Sequence, residues 1–342
     1  MGKVNTVLGP IASEDLGITA MHEHIGFGLP GCDLDTQWWK KPEGAFDVTI
    51  RKLRRFREHG GKTFVDCTGI GNGRDVEYFQ VLSRRTGVNI VAVTGFVAGD
   101  SALPYFRNKT VEYLADLFIH EITVGIDGTR AKAGAVKVGV SREGLSELDQ
   151  RIYRAAARAA VKTGVPIITH LSTEPELAID IFESEGLPLN RVLMGHADVG
   201  QDADEERDKM IASRGGYVGF DTIGYDKEME DAPYWSRPRQ ERVNHFLSFL
   251  EKGFLERAVI SADANCCALG WPGLKGHSVN YLFEEFIPDL RKAGVAEDVF
   301  DQLLVRTPAI FLTMQEPNGS FGSPMANTSA NNNIINVPVI GK

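Results

Sequence analysis

The sequence lacks the long apolar run of a transmembrane helix, because no segment of its 342 residues approaches about 20 consecutive apolar positions. Its opening residues, Met1 to Thr6, contain no apolar stretch of signal-peptide length. It has only four cysteines, and the adjacent Cys266 and Cys267 are poorly placed to bridge each other. We therefore expect a cytoplasmic protein with reduced thiols and no membrane partner.

Basic charge is also scarce. The chain carries 46 acidic and 37 basic residues, and its formal net charge of −9 argues against a nucleic-acid partner, because phosphate binding requires a positive surface. No Gly-x-Gly-x-x-Gly follows the first predicted strand, so a dinucleotide site lacks its usual support. The rest of the composition is ordinary for a globular protein, with 43% hydrophobic and 24% charged residues.

Short apolar runs rich in β-branched residues alternate with longer amphipathic segments. The eight predicted strands are Ile18 to Ile25, Thr63 to Thr68, Ile90 to Phe96, Gly134 to Val138, Pro166 to Leu171, Arg191 to His196, Gly216 to Phe220 and Arg257 to Ala262. The predicted helices are Asp47 to His59, Lys109 to Ile126, Gly144 to Thr163, Glu174 to Glu185, Asp204 to Arg214, Arg237 to Lys252 and Val279 to Ala293. This repetition predicts an α/β fold, a single-domain (β/α)8 TIM barrel, with an open doubly wound sheet as the alternative.

The composition changes near residue 315. Gly, Ser and Asn dominate Asn318 to Asn333, which is typical of a flexible extension. The short apolar segment Ile334 to Ile340 is available to dock on the barrel or on a second subunit, which leaves a homodimer open. We therefore predict a barrel domain over residues 1–314 and a flexible Asn/Ser/Gly-rich C-terminal extension over residues 315–342.

Residues suited to metal binding lie in or at the carboxyl ends of the predicted strands, where barrel enzymes place their reactive groups. The first strand contains His22-Glu23-His24, whose two imidazoles project from one face because side chains alternate along a strand. Neutral imidazoles are good ligands for first-row metals. Later strands supply further candidates, and the full set is His22, His24, Lys137, His170, His196 and Asp263. Their shared position predicts a metal centre.

Lys137 is the most informative residue of this set. An ammonium group in an apolar strand is costly unless it is paired, and burial lowers the pKa of an amine. A neutral lysine can react with carbon dioxide to form a carbamate, whose two oxygens can bridge two divalent cations. The competing interpretation is an ion pair with an acid such as Asp263. Asp263 itself is either a ligand that accepts a proton from metal-bound water or a partner that orients a histidine.

At these positions the sequence resembles the phosphotriesterase family of the amidohydrolase superfamily, binuclear-metal (β/α)8 hydrolases that include organophosphate hydrolases and phosphotriesterase-like lactonases. The motifs that carry the resemblance, in family order, are Leu16-Gly17-Ile18-Thr19, Met21-His22-Glu23-His24-Ile25, Asp66-Cys67-Thr68, Thr94-Gly95-Phe96, Lys137, Thr169-His170, Gly195-His196-Ala197-Asp198 and Ser261-Ala262-Asp263. The resemblance extends from about Gly9 to about Thr313 and leaves out the tail.

The resemblance implies the ligand arrangement. One metal would be held by His22, His24 and Asp263, and the other by His170 and His196. N6-carboxylated Lys137 and a hydroxide would bridge the two ions. Zinc is the first choice for both, with cobalt, manganese or iron as alternatives. The bridging hydroxide would attack a lactone or carboxylic ester carbonyl, and Asp263 would take up and shuttle the proton.

The substrate is less well defined. By position, the expected pocket residues are Phe96, Val97, Thr222, Cys266 and Trp271. Lactonases of the family usually carry a tyrosine where this chain has Val97 and an arginine where it has Thr222. The walls are mainly apolar, which predicts a small neutral or apolar substrate.

We therefore expect a lactone or ester hydrolase with phosphotriester hydrolysis as a secondary activity. A dedicated phosphotriesterase of the aryldialkylphosphatase type and an amide hydrolase are alternatives. The alternative from a different class is a noncatalytic, metal-stabilised barrel that binds a ligand. Replacement of Lys137 by alanine separates the two classes, because an enzyme would lose activity together with a metal, whereas a binding barrel would retain its partner.

Overall fold

The computed structural model describes residues 2–35, 44–170, 173–200, 203–226, 236–269 and 278–316. Within these residues the strands are β1 (Lys3–Thr6), β2 (Gly9–Ala12), β3 (Ile18–Gly28), β4 (Gly61–Asp66), β5 (Asn89–Gly95), β6 (Ala135–Val138), β7 (Ile167–Thr169), β8 (Val192–Met194), β9 (Tyr217–Phe220), β10 (Ala258–Ile260) and β11 (Asn265–Leu269). The helices are α1 (Ala45–Glu58), α2 (Val76–Thr86), α3 (Pro104–Arg107), α4 (Val111–Thr123), α5 (Glu147–Thr163), α6 (Pro175–Ser184), α7 (Glu205–Ser213), α8 (Arg239–Glu251), α9 (Ile287–Lys292), α10 (Glu297–Asp301) and α11 (Thr307–Leu312).

Nine of the described strands form one parallel sheet in the order β10-β9-β8-β7-β6-β5-β4-β3-β11. The segment after β10 closes this sheet into a ring. There the amide of Asp263 donates to the carbonyl of His22 at 3.0 Å, and the amide of His24 donates to the carbonyl of Ala264 at 2.7 Å. The fold is therefore the predicted (β/α)8 barrel, and the open doubly wound sheet is excluded.

Side-chain alternation along the strands produces two apolar layers. On β6, Ala135 packs with the residues inside the barrel, whereas Val136 and Val138 pack in the layer between the strands and the helices. Lys137 lies two residues after Ala135, so the same alternation turns its side chain toward the barrel interior. The fold thus places an amine at the carboxyl end of an otherwise apolar interior.

Strand β3 departs from regular alternation. Met21 belongs to the interior cluster, and the neighbouring His22 also faces the interior, where it contacts Lys137. The pairing of β3 with β4 is irregular between Ala20 and Glu23, which allows two consecutive side chains to face inward. Irregular pairing of this kind is common beside active sites, where it redirects a side chain.

All eight predicted barrel strands are present, but several elements were not predicted. These are the antiparallel hairpin of β1 and β2, the helices α2, α3, α10 and α11, and the ninth strand of the sheet, β11. Val4 of the hairpin packs in the interior cluster with Leu16 and Phe311. Residues 317–342 lie outside the described part of the chain, so the flexible tail stays a prediction. No helix of the described chain has the length and hydropathy that a membrane crossing requires.

Candidate metal centre

The structure brings all six predicted ligand residues together at the carboxyl ends of the barrel strands. The Nζ atom of Lys137 lies 2.7 Å from Nε2 of His22. Nε2 of His196 lies 3.0 Å from Nδ1 of His170. One oxygen of Asp263 is 3.0 Å from Nε2 of His24 and 3.9 Å from Nε2 of His22, and the other is 3.9 Å from Nε2 of His196. These groups therefore converge on a single small volume.

Asp221, which follows β9, orients two of these histidines. One of its oxygens accepts from Nδ1 of His22 at 2.7 Å, and the other accepts from Nδ1 of His196 at 2.7 Å. The amide of His196 also donates to Asp221, at 2.7 Å. Because carboxylate oxygens accept hydrogen bonds, we assign the proton of both imidazoles to Nδ1. Their Nε2 lone pairs therefore face the centre, as metal ligation requires.

A similar arrangement holds His24. Its Nδ1 lies 2.8 Å from Oγ1 of Thr68, and the Thr68 hydroxyl donates to the carbonyl of Gly26 at 3.4 Å. The Thr68 oxygen therefore accepts from His24, which leaves the Nε2 lone pair of His24 directed at Asp263. Two lone pairs that face each other are unfavourable unless a cation lies between them. In agreement, Oδ1 of Asp263 is buried without a hydrogen-bond donor among the described residues. The donor set fits a divalent metal.

Lys137 is fully buried, and its Nζ contacts Nε2 of His22 and the carbonyl of Thr169, the latter at 3.2 Å. No ion pair joins it to Asp263 or to any other acid in the described part of the chain. The lysine–acid pair that was the competing interpretation is therefore not formed. Burial lowers the pKa of Lys137 from its usual value, which favours the neutral amine.

The electrostatics of the neighbouring groups agree with metal binding. Burial, followed by the charge of Lys137, holds the pKa of His22 well below its usual range. Burial and the neighbouring His196 do the same to the pKa of His170. Burial alone would raise the pKa of Asp263, but His196 and His24 outweigh it and lower that pKa. The lowered pKa values favour neutral imidazoles at His22 and His170 and an ionised carboxylate at Asp263, the forms in which these groups bind metals.

Two of the six residues have strained backbones. His196 has a φ of 60° and Asp263 a φ of 46°, values that non-glycine residues rarely adopt. Such conformations persist only where the surrounding contacts hold them, and they concentrate at functional sites. Both residues lie at the converging ends of barrel strands.

Glycines make room for the Asp221 carboxylate. A Cβ atom on Gly219 would lie 2.5 Å from Oδ2 of Asp221, and one on Gly195 would lie 3.1 Å from the same oxygen. Any larger residue at Gly219 would push the carboxylate away from the histidines. The two glycines therefore belong to the construction of the site, although neither has a side chain that could bind a metal.

Glu23 does not face the centre. Its carboxylate accepts hydrogen bonds from the hydroxyl of Ser261 at 2.7 Å, the amide of Ala262 at 3.0 Å and the amide of Ala264 at 2.7 Å. It thereby fastens β3 to the segment that follows β10. Burial raises its pKa to about 8, against the lowering effect of these donors. Glu23 is therefore a structural partner of the segment that carries Asp263.

A cleft of about 980 Å³ opens beside the centre, and His170 is part of its wall. Most of the nearby wall is apolar, with Phe27, Leu29, Val97 and Val140 among its residues. The loop after β6 adds the polar residues Ser141, Arg142 and Glu143 to the wall. Asp100 and Glu174 line the same cleft. The cleft therefore joins an apolar wall to a partly charged rim.

Of the four expected pocket residues that the structure describes, only Val97 lines this cleft. Phe96 is fully buried in the layer between strands and helices, where its ring packs against Phe106 and Phe118. Cys266 packs in the same outer layer, because it lies on β11 rather than in an open loop. Thr222 is fully buried and accepts a hydrogen bond from Arg242. Trp271 lies outside the described residues.

The expected pocket thus differs from the structure at Phe96, Cys266 and Thr222, because position after a strand does not specify which way a side chain points. Asp221 and Thr68, which orient three of the histidines, were missed as functional residues. A signal for Asp221 was present, since it is an acidic residue directly after a predicted strand, the same rule that identified Asp263.

Comparisons with known proteins agree with this arrangement. A sequence model of the phosphotriesterase family matches residues 2–312. The chain is 31% identical over 315 residues to an aryldialkylphosphatase of Saccharolobus solfataricus, with 89% of this chain and 97% of the relative covered. It is 30% identical to a phosphotriesterase homology protein of Escherichia coli, with coverages of 86% and 97%. It is also 25% identical to an N-acetyltaurine hydrolase of Xenopus tropicalis, with coverages of 92% and 99%.

A solved structure gives the same result. It comes from the molecular engineering of organophosphate hydrolysis activity from a weak promiscuous lactonase template. Its chain superposes with a TM-score of 0.83 at 28% identity, and the match covers 91% of this chain and 99% of that one. The family match, the relatives and the fold all indicate a hydrolytic enzyme. The chain belongs to the phosphotriesterase family, a family of metal-dependent hydrolases.

Proposed function

We propose that this protein is a binuclear metal hydrolase that cleaves lactones or carboxylic esters, with phosphotriester hydrolysis as a secondary activity. The observation that carries the proposal is the shared carboxylate of Asp221, which turns the Nε2 lone pairs of His22 and His196 toward one volume. Core histidines that served only packing would not need one acid to fix both of their tautomers. Metal ligands do need this, because each must offer a lone pair.

The ligand set divides into two groups around the centre. We assign His22, His24 and Asp263 to one ion and His170 and His196 to the other. When bound, two divalent ions would lower the pKa of a water molecule from about 15.7 toward about 7 and polarise the carbonyl or phosphoryl oxygen of the substrate. Zinc is our first choice, with cobalt, manganese and iron as alternatives.

Lys137 would supply the bridging ligand between the two groups. Its lowered pKa favours a neutral amine, whose nitrogen lone pair can attack the carbon of carbon dioxide. The nitrogen then loses one proton, and the product is an anionic carbamate with two oxygens. The Lys137 nitrogen lies 2.7 Å from Nε2 of His22, so a carbamate formed on it would lie among the ligands.

Asp263 would act on the proton of the attacking water. Its Oδ1 faces Nε2 of His24 and is assigned to the first ion, so its second oxygen, Oδ2, which lies 3.9 Å from Nε2 of His196, would accept the proton. Both oxygens of Asp263 face the centre, because they lie 3.0 Å to 3.9 Å from the Nε2 atoms of His22, His24 and His196. The same residue can then pass the proton to the leaving group.

The cleft supports a small neutral or apolar substrate. His170 joins the cleft to the centre, and Phe27, Leu29 and Val97 offer apolar contact beside it. Amide hydrolysis is the second candidate, and the relatives named N-acetyltaurine hydrolase favour it. A dedicated phosphotriesterase is the third, favoured by the relative named aryldialkylphosphatase. All three reactions use the same centre and differ in the acyl or phosphoryl group that the cleft accepts.

The test begins with the metal content of the purified protein, before and after loading with zinc and bicarbonate. The loaded protein is then assayed with a panel of lactones, carboxylic esters, amides and phosphotriesters. We expect about two ions per chain and the highest kcat/KM for a lactone or ester. The proposal is wrong if the loaded protein binds fewer than two ions, or if an amide or phosphotriester is clearly preferred.

Two lysine variants extend this experiment, one as a test of the carbamate and one as its control. Lys137→Ala should lose bound metal and hydrolysis together, because no carbamate can form. Lys162→Ala removes an exposed lysine of α5 and should leave both unchanged. Apoprotein reloaded in buffer free of carbon dioxide should regain less activity than apoprotein reloaded with bicarbonate. Equal recovery in the two buffers would exclude the carbamate.

A further inference from the structure

Arg242 has a large side chain and is almost completely buried, with 1% of it exposed. It belongs to α8, outside the ring of strands, and its guanidinium group reaches inward to the loops that follow β8 and β9. An arginine remains charged in a protein, so its complete burial requires partners that satisfy its donors. The identity of those partners indicates what the residue does.

The guanidinium group joins the two loops. Nη1 donates to a side-chain oxygen of Asp198 and to Oγ1 of Thr222, and to the Asp198 carbonyl at 2.9 Å. Nη2 donates to the carbonyl of Tyr225 at 3.2 Å. Asp198 lies two residues after His196, and Thr222 directly follows Asp221. Arg242 therefore holds together the two backbone segments that carry His196 and Asp221.

Two short paths lead from Arg242 to the centre. In the first, Asp198 accepts from the amide of Thr222 at 3.2 Å, which fixes the backbone next to Asp221. In the second, the hydroxyl of Tyr225 donates to the carbonyl of Asp263 at 3.0 Å. The first path ends at the acid that orients two histidines, and the second ends at a ligand with a strained backbone.

We propose that Arg242 is a positioning residue of the metal centre, which braces Asp221 and Asp263 through the loop after β9. This inference rests on the proposed metal centre and adds a residue whose described hydrogen bonds reach the loops beside the centre rather than the ligand side chains themselves. The strained conformation of Asp263 needs such support, because the fold must hold a φ that the residue by itself disfavours. A charged brace with several fixed hydrogen bonds supplies that support.

The chain contains a matched control. Arg191 is also buried, with 2% of its surface exposed, and its guanidinium group donates to the carbonyls of Gly164, Phe311 and Thr313. It directly precedes β8 and therefore lies at the amino-terminal end of the barrel, opposite the metal centre. A purely structural role for Arg242 predicts that the two arginines behave alike when replaced.

The test compares Arg242→Lys with Arg191→Lys in the full chain. Lysine keeps the charge but cannot donate to both loops in the same fixed geometry. Affinity for Co²⁺ is measured by competition with a chelator, together with the visible spectrum of the bound Co²⁺ and the melting temperature. We expect Arg242→Lys to weaken Co²⁺ binding by about 10–100-fold, as loss of an outer support does at other metal sites. Arg191→Lys should lower the melting temperature but retain the wild-type affinity and spectrum.

Tyr225→Phe is a milder second variant, because it removes only the hydroxyl that donates to Asp263. We expect an altered Co²⁺ spectrum and, at saturating metal, a lower kcat with little change in KM. The inference is overturned if Arg242→Lys and Tyr225→Phe both keep the wild-type affinity and spectrum, or if Arg191→Lys changes them equally. If the wild-type protein itself binds no Co²⁺, it is the proposed metal centre that fails.

Discussion

Replacement of Asp221 by asparagine tests the construction of the centre most directly. The carboxylate accepts three hydrogen bonds of 2.7 Å, from Nδ1 of His22, Nδ1 of His196 and the amide of His196. Asparagine keeps the size of the side chain but replaces one acceptor oxygen with an NH2 donor. That donor would face a ring N–H, so one imidazole must move its proton to Nε2 or rotate away. A protonated Nε2 cannot bind a metal.

The size of the effect follows from this geometry. Loss of a partner that orients a ligand typically costs about 10–100-fold in metal affinity, which corresponds to about 1.4–2.8 kcal/mol. Because the two histidines are assigned to different ions, the asparagine variant should lose one ion before the other as metal becomes limiting. Affinity is measured by chelator competition, and bound metal is counted by elemental analysis.

Asp208→Asn is the matched control. Asp208 is also fully buried, and its carboxylate lies 2.9 Å from Nε2 of His245, but this pair joins α7 to α8 away from the centre. We expect Asp208→Asn to retain the wild-type metal affinity and kcat. The reasoning is refuted if Asp221→Asn binds both ions as tightly as the wild type, or if Asp208→Asn weakens metal binding to the same extent.

Three further predictions concern the closure of the barrel, the cleft and the core. Glu23→Ala leaves the amides of Ala262 and Ala264 without their acceptor, and each unsatisfied group costs about 1–3 kcal/mol. We therefore expect a clear loss of unfolding free energy in a denaturant titration of the apoprotein. An unchanged unfolding transition would contradict the role of Glu23 in closing the barrel. Val97→Phe narrows the cleft and should raise KM for a bulky ester by about 10-fold or more, while the metal content stays unchanged. An unchanged KM would mean that the substrate binds outside this cleft. Phe182→Ala removes a buried ring stacked on Tyr153 and should cost about 3–5 kcal/mol of unfolding free energy. Its metal affinity should equal that of the wild type, which chelator competition can check, and a parallel loss would show that the affinity assay reports general stability.

Local patterns of apolar residues in the sequence predicted most of the fold but not its irregular parts. The eight barrel strands are recognisable in the sequence as apolar runs, because each strand must be buried on both faces. The hairpin strands β1 and β2 carry no such run, and β11 escaped the βα pattern because it follows β10 without a helix between them. Strict alternation also predicts that Met21 and His22 face opposite ways, whereas the irregular pairing of β3 with β4 turns both inward.

The candidate site was likewise predicted only in part. Position at a strand end was sufficient to select the six candidate ligand residues, because all parallel strands of a barrel end on one face. It was a poor guide to the pocket, where Phe96 and Cys266 turn outward to the helices. Side-chain direction near the end of a strand depends on local pairing and on neighbouring helices, which a list of strand ends does not contain.

The sequence by itself determined the repeated βα pattern, the residues suited to metal binding and their order along the chain, because burial and chemical type are local properties. Only the tertiary structure decided that Asp221 orients His22 across 199 residues of sequence and that Arg242 of α8 joins the two loops beside the centre. These contacts exist because the sheet closes on itself and brings distant strand ends within hydrogen-bonding distance. The tautomer of each histidine, and with it the direction of each lone pair, depends on that closure.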